Sequence, residues 1–297
     1  MTLSILSRAT RATNSSLLSL SLKPPPLSFL LTHRHYSSQN QQEKLPAVKG
    51  LNPPSTTLPP PLNLPTRDPS TSTFKHYFSL GKAYLTFYKT GLKNIISANR
   101  KLVNSNPLPS SSRATILLHK RYSHDIRRLP IFGVILLVCG EFTPLIVLLI
   151  PKLVPLTCRI PKQVDLLLRK EHQQRQGVRE NEGLEKERKL GGLLGVTGFK
   201  WLPINMVEKK VKERIEWVRK DDGMIMSGGG VEKIGGEEEV KLALTERGVN
   251  VLGREEKELR EVLGRWFKLV KGKGEERVRE LIFLGEERWE EVEGRKK

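Results

Sequence analysis

Leu129–Ile150 is the longest apolar stretch of the chain, built of Leu, Ile, Val and Phe with a single ionisable side chain, Glu141. About 20 apolar residues rising about 1.5 Å each cross a hydrocarbon core of roughly 30 Å, so the stretch predicts one transmembrane helix. Pro130 falls in its first turn, where a missing N–H does no harm, and interior Pro144 predicts a kink. Upstream, from Phe74 to Leu102, the period changes. Tyr77, Tyr84, Tyr88, Leu92, Ile95 and Leu102 recur at helical steps, with Lys75, Lys82 and Lys89 seven apart and Lys93 after them. This predicts a helix with an aromatic stripe beside a lysine stripe, suited to a membrane surface, to the rest of the protein, or to both.

Downstream the pattern predicts several short helices. Val164–Leu190 reads as a polar helix or spacer broken by Gly177 and Gly183, followed by a glycine-rich loop. Val207, Val211, Ile215 and Val218 form one stripe of a helix over Val207–Lys220, which Asp221-Asp222-Gly223 is expected to end as a turn. Glu237–Arg247 begins with three glutamates, which suit a helix amino terminus, and Gly248 stops it. In Glu255–Val270, Leu259, Val262, Leu263, Trp266, Phe267 and Val270 follow steps of three and four, placing Trp266 in a core. Such short helices stand only by packing together. The fold class expected is therefore mainly α: a transmembrane helix and a small helical domain.

Charge divides the chain at the apolar stretch. Of 297 residues, 51 are Lys or Arg and 32 Asp or Glu; residues 1–155 hold 19 and 4 of these, and the remainder 32 and 28. A basic half favours polyanions, RNA or anionic lipid, without choosing between them. Residues 1–42 hold no acid, and Arg8, Arg11, Lys23 and Arg34 lie among Ser, Thr and Leu. That composition predicts a mitochondrial presequence, trimmed after Tyr36 in Arg34-His35-Tyr36-Ser37. Residues 37–73 are rich in proline and serine and predict a disordered linker. Residues 74–128 then form a pre-span helical region, 129–150 the span, and 151–297 the helical domain. Lys and Arg within about 20 residues of the span number five on each side, so the positive-inside rule gives no orientation.

Candidate chemistry is sparse. Glu141 is costly within a bilayer unless it is protonated, paired or facing a polar interior, so it serves either ion movement or a neutral hydrogen bond. Lys209, Lys210, Lys212 and Arg214 lie on the expected solvent side of the Val207–Lys220 helix, where they can meet phosphate; the alternative is pairing with Glu208, Glu213 and Glu216. Lys75, Lys82, Lys89 and Lys93 are the candidate lipid contacts. The two cysteines, Cys139 and Cys158, offer neither a disulfide framework nor a zinc site. No phosphate loop or nucleophile–base pattern occurs, so neither enzymatic chemistry nor a cofactor is expected.

Several segments together resemble a known family. Asp125-Ile-Arg-Arg-Leu-Pro-Ile-Phe132, Glu141-Phe142, Pro144, Lys152 and Leu153-Val-Pro-Leu-Thr157 are similar to the LETM family of mitochondrial inner-membrane proteins. Asp221-Asp222, Gly229-Gly230-Val231, Glu237-Glu238-Glu239-Val240, Ala243–Gly248 and Glu258–Trp266 resemble that family's ribosome-binding domain in order and spacing. The resemblance implies a single-pass protein of the inner membrane whose carboxy-terminal domain faces the matrix and contacts mitochondrial ribosomes, aiding insertion of new proteins. It also implies a link to potassium/proton or calcium/proton exchange, in which Glu141 of a homo-oligomer would be the working acid. The chain departs from larger members in lacking an EF-hand loop and a long carboxy-terminal coiled coil.

Overall fold

Helix α1 (Thr73–Lys93) starts where the Ser72 hydroxyl accepts the Lys75 N–H, and it runs through a π-helical segment, Asn94–Asn99, into α2 (Arg100–Ser105). Helix α3 (Arg113–Cys139) returns antiparallel to this rod. His119 lies 2.6 Å from the Asn106 carbonyl near the turn, and further along the Phe132 ring meets Tyr88 at 5.7 Å. Tyr88, Ile95 and Phe132 join Val154, Cys158 and Ile160 in a small core. The stripe thus packs on the protein at Tyr88 of α1 and Ile95 of the π-helical segment, while Phe74, Tyr77 and Phe78 at the first turns of α1 stay exposed. The structure, a computed structural model, describes residues 47–67, 72–140, 146 and 150–294. The expected presequence, Glu141 and Pro144 lie outside the described residues.

Of the apolar stretch, residues 129–140, 146 and 150 are described. Among the described residues no helix is long and apolar enough to cross a membrane. Helix α3 begins at Arg113, well before Leu129, and its charged first half is held by ion pairs, so Leu129–Cys139 forms only its last turns. Pro130 is consequently interior to α3 rather than in a first turn. The two flanks of the stretch also meet. Arg128 Nε donates to the Lys152 carbonyl at 2.9 Å. The Asp125 carboxylate accepts the backbone N–H groups of Leu156 (2.6 Å) and Thr157 (3.1 Å) and the Thr157 hydroxyl. This explains why an aspartate four residues before Leu129 accompanies a Leu-Thr pair beyond the stretch.

The expected linker is held in place over residues 47–67. Val48 N–H donates to Asn106 Oδ1, Thr115 donates to the Val48 carbonyl, and the Arg113 guanidinium donates to the Leu51 carbonyl. Asn52 accepts the Gly235 N–H and donates to the Lys233 carbonyl. Proline suits such a strap: it prefers extended backbone, lacks an N–H, and leaves few donors for neighbouring side chains to satisfy.

The rest is helical. Helices α4 (Pro161–Glu180), α5 (Lys186–Leu193), α6 (Ile204–Ser227), α7 (Glu237–Glu246), α8 (Glu256–Val270), α9 (Glu275–Leu284) and α10 (Trp289–Gly294) share one large core. The fold is mainly α, with no strand among the described residues. All six apolar positions expected of α8 are buried, and Trp266 meets Trp289 at 5.5 Å.

Two local expectations are corrected. The segment over 164–190 forms α4, which continues through Gly177, and the start of α5; Gly191 and Gly192 belong to α5, not to a loop. A Cβ on Gly192 would stand 2.7 Å from Val178 Cγ2 and 2.9 Å from Phe199 Cε2, so this glycine allows close packing rather than a turn. Asp221-Asp222-Gly223 does not end α6, which continues to Ser227. Both aspartates point into the protein, where arginines compensate them.

Candidate functional site

The basic first half of α3 docks onto acids of the carboxy-terminal helices. Arg113 Nε meets Asp221 of α6 at 2.7 Å, Lys120 meets Glu246 of α7 at 2.5 Å, and Arg121 holds both carboxylate oxygens of Glu239 at 2.6 and 2.8 Å. Positions 113, 120 and 121 fall on one helical face, so a single stripe makes all three contacts. Three of the five basic residues counted before the apolar stretch are therefore engaged with the domain that follows it.

Behind this junction lies a buried charge cluster. Arg247, at the end of α7, donates to Asp221 Oδ2 at 2.9 Å, to Asp222 Oδ1, and to the Ala243 carbonyl at 2.7 Å. Trp266 Nε1 donates to Asp222 at 3.1 Å. Burial alone would raise the Asp221 carboxyl, but Arg247 and Arg113 outweigh it and hold Asp221 below the ordinary carboxylate range. Asp222 has only one arginine, and burial, with the neighbouring Asp221 charge, pushes it up. The Arg247 guanidinium also loses solvation, yet the two acids raise it above its ordinary value. Sequence periodicity missed this cluster because charged residues on an apolar stripe resemble a helix end. The signal that could have found it is spacing: Val218, Asp222 and Ile225 continue the buried face of α6.

The surface beside the junction carries the expected basic residues. Lys209 and Lys212 are exposed on α6, and Lys210 and Arg214 are half-buried. Their backbone is fixed by Val207, Val211, Ile215 and Val218, all buried as expected. Among the described residues none of the four forms an ion pair, although Glu208, Glu213 and Glu216 are close in sequence. Lys210 and Arg214 line a shallow groove of about 410 Å³ with Lys120, Glu213, Trp217 and Thr197. Its wall is fixed: the Lys120 ammonium stands 4.1 Å over the Trp217 ring, and Trp217 Nε1 donates to Glu246 at 2.7 Å. A groove with free cations and an aromatic wall can take phosphate or an acidic side chain.

The structure does not bring the other candidates to this groove. Lys75, Lys82, Lys89 and Lys93 are exposed along α1, which packs on the second half of α3. Glu141 is outside the described residues.

Residues 186–283, which run from α5 to α9, match the family described as LETM1-like, RBD. Residues 97–190 match the pentamidine resistance factor domain. No curated protein and no solved structure matches the chain.

Proposed function

We propose, from the match of residues 186–283 to the LETM1-like RBD family, that the chain is a LETM-type, membrane-attached binding protein of the mitochondrial inner membrane that holds mitochondrial ribosomes there. The observation that carries this reading is the conjunction of the domain match with the unpaired basic face of α6, Lys209, Lys210, Lys212 and Arg214, inside the matched region. The presequence composition of residues 1–42 supports the mitochondrial address, and the apolar stretch supports membrane attachment. In this role the protein keeps a translating ribosome close to the bilayer, aiding insertion of the emerging chain. It performs no catalysis of its own.

The test is co-sedimentation of the full-length protein, kept in lipid nanodiscs, with mitochondrial ribosomes across a salt series. Sedimentation that weakens as salt rises is expected of contacts that release phosphate counterions. Absence from the ribosome pellet at every salt concentration rejects the proposal. A second reading, cation/proton exchange through Glu141, rests on the family resemblance and the residue's place in the apolar stretch. It predicts ion flux in vesicles that Glu141→Gln abolishes.

A further inference from the structure

We infer that α1 makes a lipid contact of its own, with one face lying on the surface of an anionic bilayer. This goes beyond the ribosome reading and does not depend on how the apolar stretch sits. Two apolar rows run along α1. Tyr84, Tyr88 and Leu92 make the first, which packs into the small core with Phe132 and Cys158. Phe74, Phe78 and Leu85, at steps of four and seven, make the second, and it faces solvent. These three side chains are 81%, 66% and 58% exposed. Tyr77 beside them is exposed too, as is Ile96 in the π-helical segment. The strap takes another flank of the helix, where Ala83, Thr86 and Thr90 line one groove with Pro60, Pro61 and Leu64. The face left uncovered is thus an apolar one. Gly81, between Phe78 and Leu85, has no atom within 4 Å of where a Cβ would stand, as an uncovered face requires.

The charge beside this row identifies its occupant. Lys75, Lys82 and Lys89 follow at seven-residue steps along one side of the row, with Lys93 after them, and all four are exposed. No Asp or Glu occurs between Asp68 and Asp125, so α1 and α2 offer these ammonium groups no acid of their own. A partner protein would have to bury Phe74, Phe78 and Leu85 while lining up acids beside them. An anionic bilayer supplies both at once. The rings and Leu85 enter the boundary between headgroups and acyl chains, about 5–10 Å deep, and the lysines reach lipid phosphates along their methylene stems. RNA would neutralise the lysines and stack on the rings, but it offers no hydrocarbon to Leu85 or Ile96. The occupant is therefore the anionic bilayer surface.

The test uses the full-length protein reconstituted into vesicles of phosphatidylcholine and phosphatidylglycerol. Phe78→Cys and Leu85→Cys each carry a nitrobenzoxadiazole fluorophore in a Cys139→Ser background, while Cys158 is buried and stays unlabelled. Phosphatidylcholine bearing a nitroxide high on its acyl chain is the quencher. Emission from both positions should fall roughly twofold or more. The fall should shrink several-fold when phosphatidylglycerol is replaced by phosphatidylcholine. Lys75→Glu with Lys82→Glu and Lys89→Glu changes only exposed positions and should shrink it likewise, with the helical circular dichroism kept. Emission that the quencher leaves unchanged at both positions overturns the inference, and so does quenching that neither change reduces. Phe78→Cys chains that couple into disulfide-linked pairs, with no quenching by lipid, would give the face to a second copy and also overturn it. The readout is confined to α1, so its failure leaves the ribosome reading, judged by sedimentation, where it stands.

Discussion

Arg121 and Glu239, 118 positions apart, form a two-pronged ion pair that joins the helix before the apolar stretch to the domain after it. Both side chains are almost fully buried, and a third bond runs from Arg121 to the Thr57 hydroxyl of the strap at 3.1 Å. Removing one partner strands a buried charge. Glu239→Gln should therefore destabilise the protein by about 3 kcal/mol, while Arg121→Met with Glu239→Leu should recover much of that loss. Denaturant unfolding of the three variants measures the coupling. Equal stability of single and double variants would mean that the pair contributes nothing to the junction.

Arg247 anchors more than Arg121, since it serves two carboxylates and a carbonyl at once. Arg247→Met should cost about 3–5 kcal/mol, because buried Asp222 would lose its only arginine and Asp221 would keep only Arg113. Thermal unfolding in detergent is a direct check, and a fall of only a degree or two would contradict the assignment.

The same cluster sets an acid limit. The Asp221 carboxyl is held below its ordinary range in the folded state, so it contributes stability that is present above its unfolded pKa, about 4. That contribution is lost as pH falls through the lower folded value. Asp222 is raised and works in the opposite sense: its contribution is present below about pH 4 and fades as pH rises through its folded value. Stability should thus fall steeply on acidification below about pH 4, and Asp221→Asn should flatten that limb. Asp222→Asn should leave it in place. Urea midpoints between about pH 3 and 7 separate the two variants.

Two helical glycines should respond oppositely to alanine. Gly177 of α4 has open space where a Cβ would go, so Gly177→Ala should stabilise by up to about 1 kcal/mol through helix propensity. Gly192 of α5 is pressed between Val178 and Phe199, and overpacking of about 1–3 kcal/mol should exceed the same gain. Opposite shifts in denaturation midpoint are the expected result.

For the basic face of α6, reversing Lys209, Lys210 and Lys212 to Glu should weaken ribosome sedimentation and flatten its salt dependence. Lys209 and Lys212 are exposed, so stability should barely change. A variant that sediments like the parent at every salt concentration would show that the ribosome meets another surface.

What could be read in the sequence was periodic and local. The stripe of α8, the buried valines of α6 and the acidic start of α7 each appear as a repeat within one helix, and each packs as that repeat requires. What escaped was set by partners far along the chain. Asp221 and Asp222 look like a helix end until Arg113 and Arg247 are placed beside them. Gly191-Gly192 looks like a loop until Val178 and Phe199 close over it. The apolar stretch satisfies the length rule for a bilayer crossing, yet no length rule registers that Asp125 and Thr157 hold its two ends together. At the candidate site the four basic residues and their helix were legible. The groove that Lys210 and Arg214 share with Lys120 and Trp217 was not, because it joins helices from either side of the stretch.

The strap over residues 47–67 has a consequence for any trimming of the chain from its amino terminus. Val48, Leu51, Asn52 and Thr57 each bond to residues of α3 or of the turns between helices, so this segment belongs to the folded protein although its composition is that of a tether. Proteolytic trimming from the amino terminus can proceed as far as Ala47 and leave every one of these bonds intact. A cut beyond Thr57 would expose the Arg113 and Arg121 guanidinium groups at the very junction that unites the two halves. The strap is a boundary marker: trimming that passed it would cost the fold these bonds.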